Sequence, residues 1–522
     1  MKKAKMKQLS LLILFILIIL SSRCNIIQNI TISEVFVTED HSIANIFTRH
    51  TVTGITTPLP QPPDVTGYIG VAYVTVGDIN KDGTKDIVAT SGVGADSDPI
   101  TNDGSVALFT WDVSDLDSWT QTILNDTFAF PNETMLHDMD GDDDLDILVM
   151  DQFLLGISDA PSGIFYLENQ GGTITSPSNW IKKTIYQDDP LYSYHRSYLL
   201  DVDGDSDEDI ITTKINLSEK GTVLLLENTG SLPYTPHTIS SGAGSLFALH
   251  DIDSDSDLDI VAPQFSITAS LLSNEVLGGP NGDDPLGDSL IWLENPGIGP
   301  EVFNTWNYYT IDNWHTSSNP LGKGFEVILS DIDNDGAVEL VVTNHNHQKY
   351  DGSGKRLWPS GVYLFEIPTD TTSPGNWLPV TIDTGDPSLE PTSGLAPYED
   401  PVVLADVYAV NRRGSYYDQG SPGVVRSGDI TGNGFPDLVV PGDGKGALYY
   451  YQNEGITGTS MNFKRATLYE DPQCMPGDAK IVDIDSDGDL DIVAVIFDTS
   501  VDNPPPPILQ AQFLYLDKIK RY

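Results

Sequence analysis

Seven times along the chain, alternating acidic residues run straight into an unbroken apolar stretch. The copies are DINKDGTKDIVAT (78–90), DMDGDDDLDILVM (138–150), DVDGDSDEDIITT (201–213), DIDSDSDLDIVAP (251–263), DIDNDGAVELVVT (331–343), DITGNGFPDLVVP (429–441) and DIDSDGDLDIVAV (483–495). An aromatic-rich apolar segment follows each: SVALFTWD (105–112), GIFYLEN (163–169), TVLLLEN (222–228), SLIWLEN (289–295), GVYLFEI (361–367), ALYYYQN (447–453) and QFLYLDK (512–518). A further pattern, an aromatic, three residues, Thr and an aliphatic, comes next as WIKKTI (180–185), YTPHTI (234–239), WNYYTI (306–311), WLPVTI (377–382) and FKRATL (463–468), with WTQTI (119–123) one residue shorter. Another apolar segment leads into each first aspartate. Short β-branched and aromatic runs bounded by turn residues predict strands, and without a sustained 3.6-residue apolar period almost no helix is expected.

Four strands per unit, with units starting 50 to 98 residues apart, read as the blades of a propeller. The last unit stops at its third segment, and FTRHTV (47–52) supplies the missing fourth pattern from the other end of the chain. The expected fold is all-β: a seven-bladed β-propeller of four-stranded blades, its ring closed by the N-terminal strand completing the last blade. That makes residues 45–522 one domain, where length alone would suggest about three. Ahead of it, the basic MKKAKMKQ and the apolar stretch 9–20 read as a signal peptide over residues 1–23, short of the roughly 20 apolar residues a spanning helix needs. Residues 24–44 read as a linker. The alternatives are an uncleaved anchor or a lipid on Cys24, although Arg23 stands where lipid processing wants a small residue. Cys474 is the other cysteine, so no disulfide framework is expected. The expected location is secreted or at the cell surface or envelope.

The chain carries 76 acidic and 27 basic residues, a formal charge of −49. That argues against nucleic acid and against anionic membrane surfaces, and no membrane insertion of the mature domain is expected. In each acidic loop, positions 1, 3, 5 and 9 offer side-chain oxygens and position 7 its backbone carbonyl. Ca²⁺ takes about six to eight oxygens at roughly 2.3–2.6 Å. Without a cation, carboxylates about 4 Å apart repel by roughly 1 to 4 kcal/mol per pair. Solvated acidic turns would account for one copy; seven in register, each abutting a buried strand, call for a cation. Up to seven structural calcium ions are therefore expected, bracing a chain that has no disulfides.

The pattern resembles the FG-GAP/VCBS repeats, the calcium-loop repeats found in the seven-bladed head of integrin α-subunits and in many secreted microbial proteins. The resemblance covers residues 45–522 and implies a cation in the hairpin between the first and second strands of each blade. Its ligands would be Asp78, Asn80, Asp82 and Asp86 in the first loop and Asp138, Asp140, Asp142 and Asp146 in the second. The third would use Asp201, Asp203, Asp205 and Asp209, and the fourth Asp251, Asp253, Asp255 and Asp259. The fifth has Asp331, Asp333, Asp335 and the longer Glu339, able to bind through both oxygens. The sixth, with Thr431 at position 3, keeps Asp429, Asn433 and Asp437 and is the weakest; the seventh has Asp483, Asp485, Asp487 and Asp491. At position 6, Gly83, Gly336, Gly434 and Gly488 suit a left-handed turn, and Asp143, Ser206 and Ser256 suit it less well. The chain departs from integrins in having calcium-type loops in essentially every blade.

In an up-and-down blade the 1–2 and 3–4 turns share one face. The long segments 56–70, 91–104, 264–288, 312–324, 344–360, 383–424 and 502–509 nearly all belong to the other, and loops carry function more often than strands. A protein or glycan ligand is therefore expected on the face opposite the calcium loops, met by Trp314, His315, Tyr350, Trp358, Tyr398, Tyr408, Tyr416 and Tyr417 on a non-catalytic monomer. The rival is an extracellular carbohydrate-active enzyme of the polysaccharide lyase or sugar dehydratase type, in which His345 and His347, with Asp351 nearby, converge with His195 around a pocket. Fold resemblance alone does not choose between them. His137 and His250, each just before a loop aspartate, are expected to pack rather than ligate. Glycosylation sequons stand at Asn29, Asn125, Asn132 and Asn216.

Overall fold

The computed structural model describes residues 32–51, 70–92, 104–111, 118–129, 131–151, 161–188, 192–215, 221–242, 244, 246–264, 288–313, 321, 324–344, 361–384, 422–442, 447–470, 474–498 and 512–518. The aromatic residues expected on the ligand face, together with His345, His347, Asp351, Asn29 and Asn216, lie outside them.

The described strands assemble into seven sheets, six of four strands and one of five. Sheet 1 runs Gly70–Gly77, Asp86–Gly92, Gly104–Trp111 and Trp119–Phe128, each strand antiparallel to the one before. Sheets 2 to 6 repeat that order, with inner strands Pro131–His137, Ser193–Leu200, Ala248–His250, Gly324–Ser330 and Arg426–Gly428. Sheet 7 takes Cys474–Val482, Asp491–Asp498 and Gln512–Lys518, and its outer strand is Phe47–Thr51, paired with Phe47 opposite Lys518 and Thr51 opposite Leu514. Helix among the described residues amounts to four short 3₁₀ turns. These are propeller-like blades, as the strand pattern implies.

Second strands such as Asp146–Asp151, Glu339–Asn344 and Asp437–Gly442 are buried at every position. Both of their faces meet a neighbouring sheet, which is why they read as unbroken apolar runs rather than as an alternation. The outer-strand pattern has a matching cause. Its aromatic and aliphatic lie five residues apart, an odd spacing that sends them to opposite faces. Trp180 enters the core shared with sheet 1, and Ile185 the core shared with sheet 3. Tyr234 and Ile239, Trp306 and Ile311, and Trp377 and Ile382 divide in the same way. In sheet 1 the partner of Trp119 is Leu124 rather than Ile123, because Leu124 enters the core with sheet 2. The pattern there is full length, and the shorter reading is corrected.

One apolar core lies between each pair of sequence-consecutive sheets. Another joins Val74, Ile87 and Phe109 of sheet 1 to Ile484, Val493 and Val495 of sheet 7.

The segment read as a linker, 24–44, instead carries structure where it is described. Glu34–Glu39 adds a fifth strand to sheet 6, parallel to Ser460–Glu470, with Glu34 opposite Ser460 and Glu39 opposite Arg465. Ile32 plugs into the core between sheets 5 and 6, and Ile43 into that between sheets 6 and 7.

Candidate metal centres

Each acidic loop joins a first strand to a second, and its own carboxylates fold it. The position 1 aspartate gathers backbone N–H groups from within the loop. Asp483 Oδ1 accepts from Asp487 N at 3.0 Å and Oδ2 from Gly488 N at 3.0 Å. Asp78, Asp331 and Asp429 do the same with their own positions 5 and 6. To point those donors inward, the backbone turns left-handed at positions 4 and 6 of all seven loops. The expectation for position 6 extends even to Asp143, Ser206 and Ser256, at φ of 73°, 79° and 84°, and position 4 was missed. The result is a concave nest of amides closed around a carboxylate.

The position 9 carboxylate is buried where the second strand begins. Asp146 Oδ2 accepts from Met139 N at 2.9 Å and Oδ1 from Asn169 N at 2.7 Å. Asp209, Asp259 and Asp437 accept likewise from Asn228, Asn295 and Asn453. Burial pushes Asp86 and Asp259 up to about 7, Asp146, Asp209 and Asp437 to about 6, and Glu339 to about 8. These are groups whose charge asks for a counter-charge; in Asp146, Asp209 and Asp259 each oxygen keeps a second lone pair beyond its one N–H bond, whereas Asp437 Oδ2 also accepts the Tyr450 hydroxyl at 3.1 Å.

In five loops three carboxylates converge, with oxygens within 4.8 Å of one another: Asp138, Asp140 and Asp146; Asp201, Asp203 and Asp209; Asp251, Asp253 and Asp255; Asp331, Asp333 and Glu339; Asp483, Asp485 and Asp491. Oxygens bound to one Ca²⁺ at up to about 2.6 Å lie at most about 5.2 Å apart, so these sets fit the ion. Position 5 joins the trio only in the fourth loop; Asp142, Asp205, Asp335 and Asp487 each accept the N–H of position 7 at 2.8–2.9 Å, and Asp255 does so at 3.2 Å. In the first loop Asn80 holds Asp82 through its amide at 2.9 Å. The sixth loop brings two carboxylates, Asp429 and Asp437, while Asn433 donates to Asn453 O at 2.7 Å.

Residues 429–494, which contain the sixth and seventh acidic loops, match the model of the FG-GAP-like repeat. This segment is similar to an FG-GAP-like repeat. No curated protein matches the chain. The other five loops repeat the position 1 hydrogen-bond scheme of the matched segment, except that Asp201 Oδ1 accepts from Gly204 N at position 4.

Sequence reading gave no role to the asparagine that ends the third-strand motif in sheets 2, 3, 4 and 6. The asparagine locks the acidic hairpin. Besides its backbone bond to position 9, Asn453 donates its side chain to Pro436 O at 3.1 Å and to Ile332 O of the neighbouring loop at 2.8 Å, and accepts from Gly455 N at 2.9 Å. Asn169, Asn228 and Asn295 make the matching bonds to position 8 and to a glycine two residues on. Recurrence of Asn-x-Gly at this point was the available signal. Asn453→Ala is expected to lower stability by about 1–3 kcal/mol, through stranded buried carbonyls, and to weaken calcium binding at the sixth loop. Thermal melts with and without calcium measure both; an unchanged melt refutes the lock.

The inner strands carry a second set of charges that sequence reading missed. Arg196 of sheet 3 pairs with Glu133 of sheet 2 at 2.9 Å and with Glu326 of sheet 5 at 2.5 Å. Arg426 of sheet 6 pairs with Glu326 at 2.8 Å and with Asp478 of sheet 7 at 2.6 Å. Lys480 of sheet 7 then reaches Asp478 at 3.2 Å and Glu133 at 3.8 Å. Three acids and three bases alternate in a closed circuit. Arg196 Nη1 also donates to Phe247 O, just ahead of the inner strand of sheet 4, at 3.4 Å, and Asp478 accepts from Val74 N of sheet 1 at 3.4 Å, so the circuit reaches the inner edges of all seven sheets. The surrounding cations hold Glu133 and Asp478 below the ordinary carboxylate range despite their burial.

The described histidines fall apart as a group. His195 is 3% exposed on its inner strand, and burial pushes it down to about 3. His137 Nε2 sits 2.5 Å from Glu208, and burial lowers His250.

Proposed function

We propose that the protein is a secreted or cell-surface, calcium-braced, seven-bladed propeller that binds a protein or glycan partner on the face opposite its metal loops and carries out no chemistry of its own. Seven sheets with a core between every consecutive pair, and another between the first and the last, support a closed ring. Phe47–Thr51 pairing beside the C-terminal strand supports the closure point. Five convergent carboxylate sets support Ca²⁺, with the first and sixth loops as weaker sites.

One observation carries the binding reading: the inner strands of sheets 2, 3, 5, 6 and 7 share a neutral, largely buried circuit of six charges from Glu133 to Lys480. In the closed ring we propose, this circuit occupies the axis, where the enzyme reading needs a deep central pocket. His195, which the enzyme reading needs at such a pocket, is buried and stays neutral near pH 7, so it is unsuited to acid–base catalysis there. With the hairpins of one face engaged in holding oxygens, the opposite face is left to meet a partner.

The test is an array of glycans and extracellular proteins probed with the full chain in calcium and in chelator. Calcium-dependent capture of a defined class, with no turnover of polysaccharide, is expected. Cleavage of a polysaccharide, abolished by His345→Ala with His347→Ala, would overturn the reading in favour of the enzyme.

A further inference from the structure

Two sequons fall on described residues, and the fold treats them in opposite ways. Asn132, in Asn132-Glu133-Thr134, is 0% exposed and donates its amide to Tyr194 O of the next sheet at 2.8 Å. Asn125, in Asn125-Asp126-Thr127, lies near the end of Trp119–Phe128, the outer strand of sheet 1. It is half-buried, and Asp126 and Thr127 are exposed. Asn125 Oδ1 accepts from the Thr127 amide at 2.9 Å and from the Thr127 hydroxyl at 2.8 Å. Both donors act on the oxygen, so the carboxamide is held in one orientation while Nδ2 has no partner among the described residues.

We propose that Asn125 is an N-glycan acceptor and that Asn132 is not. The donor class is a polyprenyl-diphosphate-linked oligosaccharide. Nδ2 forms a C–N bond to the anomeric carbon of the first sugar, the bond from that carbon to the diphosphate oxygen breaks, polyprenyl diphosphate leaves, and the amide gives up one proton. A glycan on Asn125 projects from an outer strand, where it blocks the edge-to-edge pairing that open sheet edges invite. A glycan on Asn132 has no room between sheets 2 and 3, so chains carrying one do not reach the folded state. The sequon specifies the chemistry in both places; burial selects between them.

The full chain is expressed in a mammalian secretory line with its own leader, and in parallel with a heterologous leader replacing residues 1–23. Secreted and microsomal fractions are deglycosylated in heavy-oxygen water and their peptides mapped by mass spectrometry. Label on Asn125 in most molecules and none on Asn132 in the folded, calcium-binding fraction is expected. Asn125→Gln and Thr127→Ala should each remove one glycan step on a gel, and Thr127→Ser should retain it. Absence of label on Asn125 in every fraction, or label on Asn132 in folded protein, overturns the proposal.

Discussion

In chelator at pH 8 the protein is expected to melt about 10 °C below its melting temperature in calcium. A free calcium level tenfold above a site's dissociation constant adds roughly 1.4 kcal/mol per site, and a domain of this size changes its melting temperature by about 1 °C per kcal/mol. Burial adds a pH signature to the calcium-free protein. Asp437 is moved from 3.8 to about 6, Asp86 from 3.8 to about 7 and Glu339 from 4.5 to about 8. A raised value means that the folded state holds its proton more tightly than the unfolded chain. The stability it contributes is full below the ordinary carboxylate range and is lost as pH climbs through about 6 to 8. A carboxyl displaced as far as Asp437 costs the calcium-free fold on the order of 3 kcal/mol once ionised. The chelated protein should therefore melt higher at pH 5 than at pH 8. The calcium-loaded protein should show the reverse, because protons compete with the ion. A calcium-insensitive melt at pH 8, or a chelated protein that gains stability as pH rises, would remove the metal reading.

Glu326→Ala should be the most damaging single change on the inner strands. Glu326 is 0% exposed and holds both Arg196 and Arg426. Its removal strands two buried guanidinium groups, a loss of roughly 3–5 kcal/mol. Lys183→Met offers the comparison: it breaks a pair with Glu168 at 3.2 Å whose lysine is 36% exposed, worth about 1 kcal/mol or less. Lys480→Met should fall between, since its link to Glu133 spans 3.8 Å and its side chain is 24% exposed. Denaturant melts rank the three. If Glu326→Ala costs no more than Lys183→Met, the circuit is not what holds the inner strands together.

Much of this was legible from local pattern. The acidic loops announce themselves because a nine-residue hairpin needs its oxygens at fixed offsets, whatever surrounds it. The outer strands announce themselves because an aromatic and an aliphatic five residues apart must face two different neighbours. Glu34–Glu39 escaped notice because EVFVTE is short, lacks any repeat motif and gains its partner from Ser460–Glu470, far along the chain. The charges of the inner strands escaped for a related reason. Tyr73, Glu133, Arg196, Glu326 and Asp478 each stand five residues before the first loop aspartate, but Leu246 and Val424 hold that place in sheets 4 and 6, so no motif is visible. Arg196 and Glu326 meet across 130 residues of sequence.

The sequence by itself determined the all-β blades, the number of acidic hairpins and the side-chain oxygens each presents, because these follow from strand alternation and from hydrogen bonds closed within a few residues. The tertiary structure alone decided that an asparagine from the third strand locks each of four hairpins, that six charges neutralise one another on the inner strands, and which sequon faces solvent. Those outcomes depend on burial and on through-space neighbours, and a charge or an amide has the same letter in the sequence whether water or a sheet surrounds it.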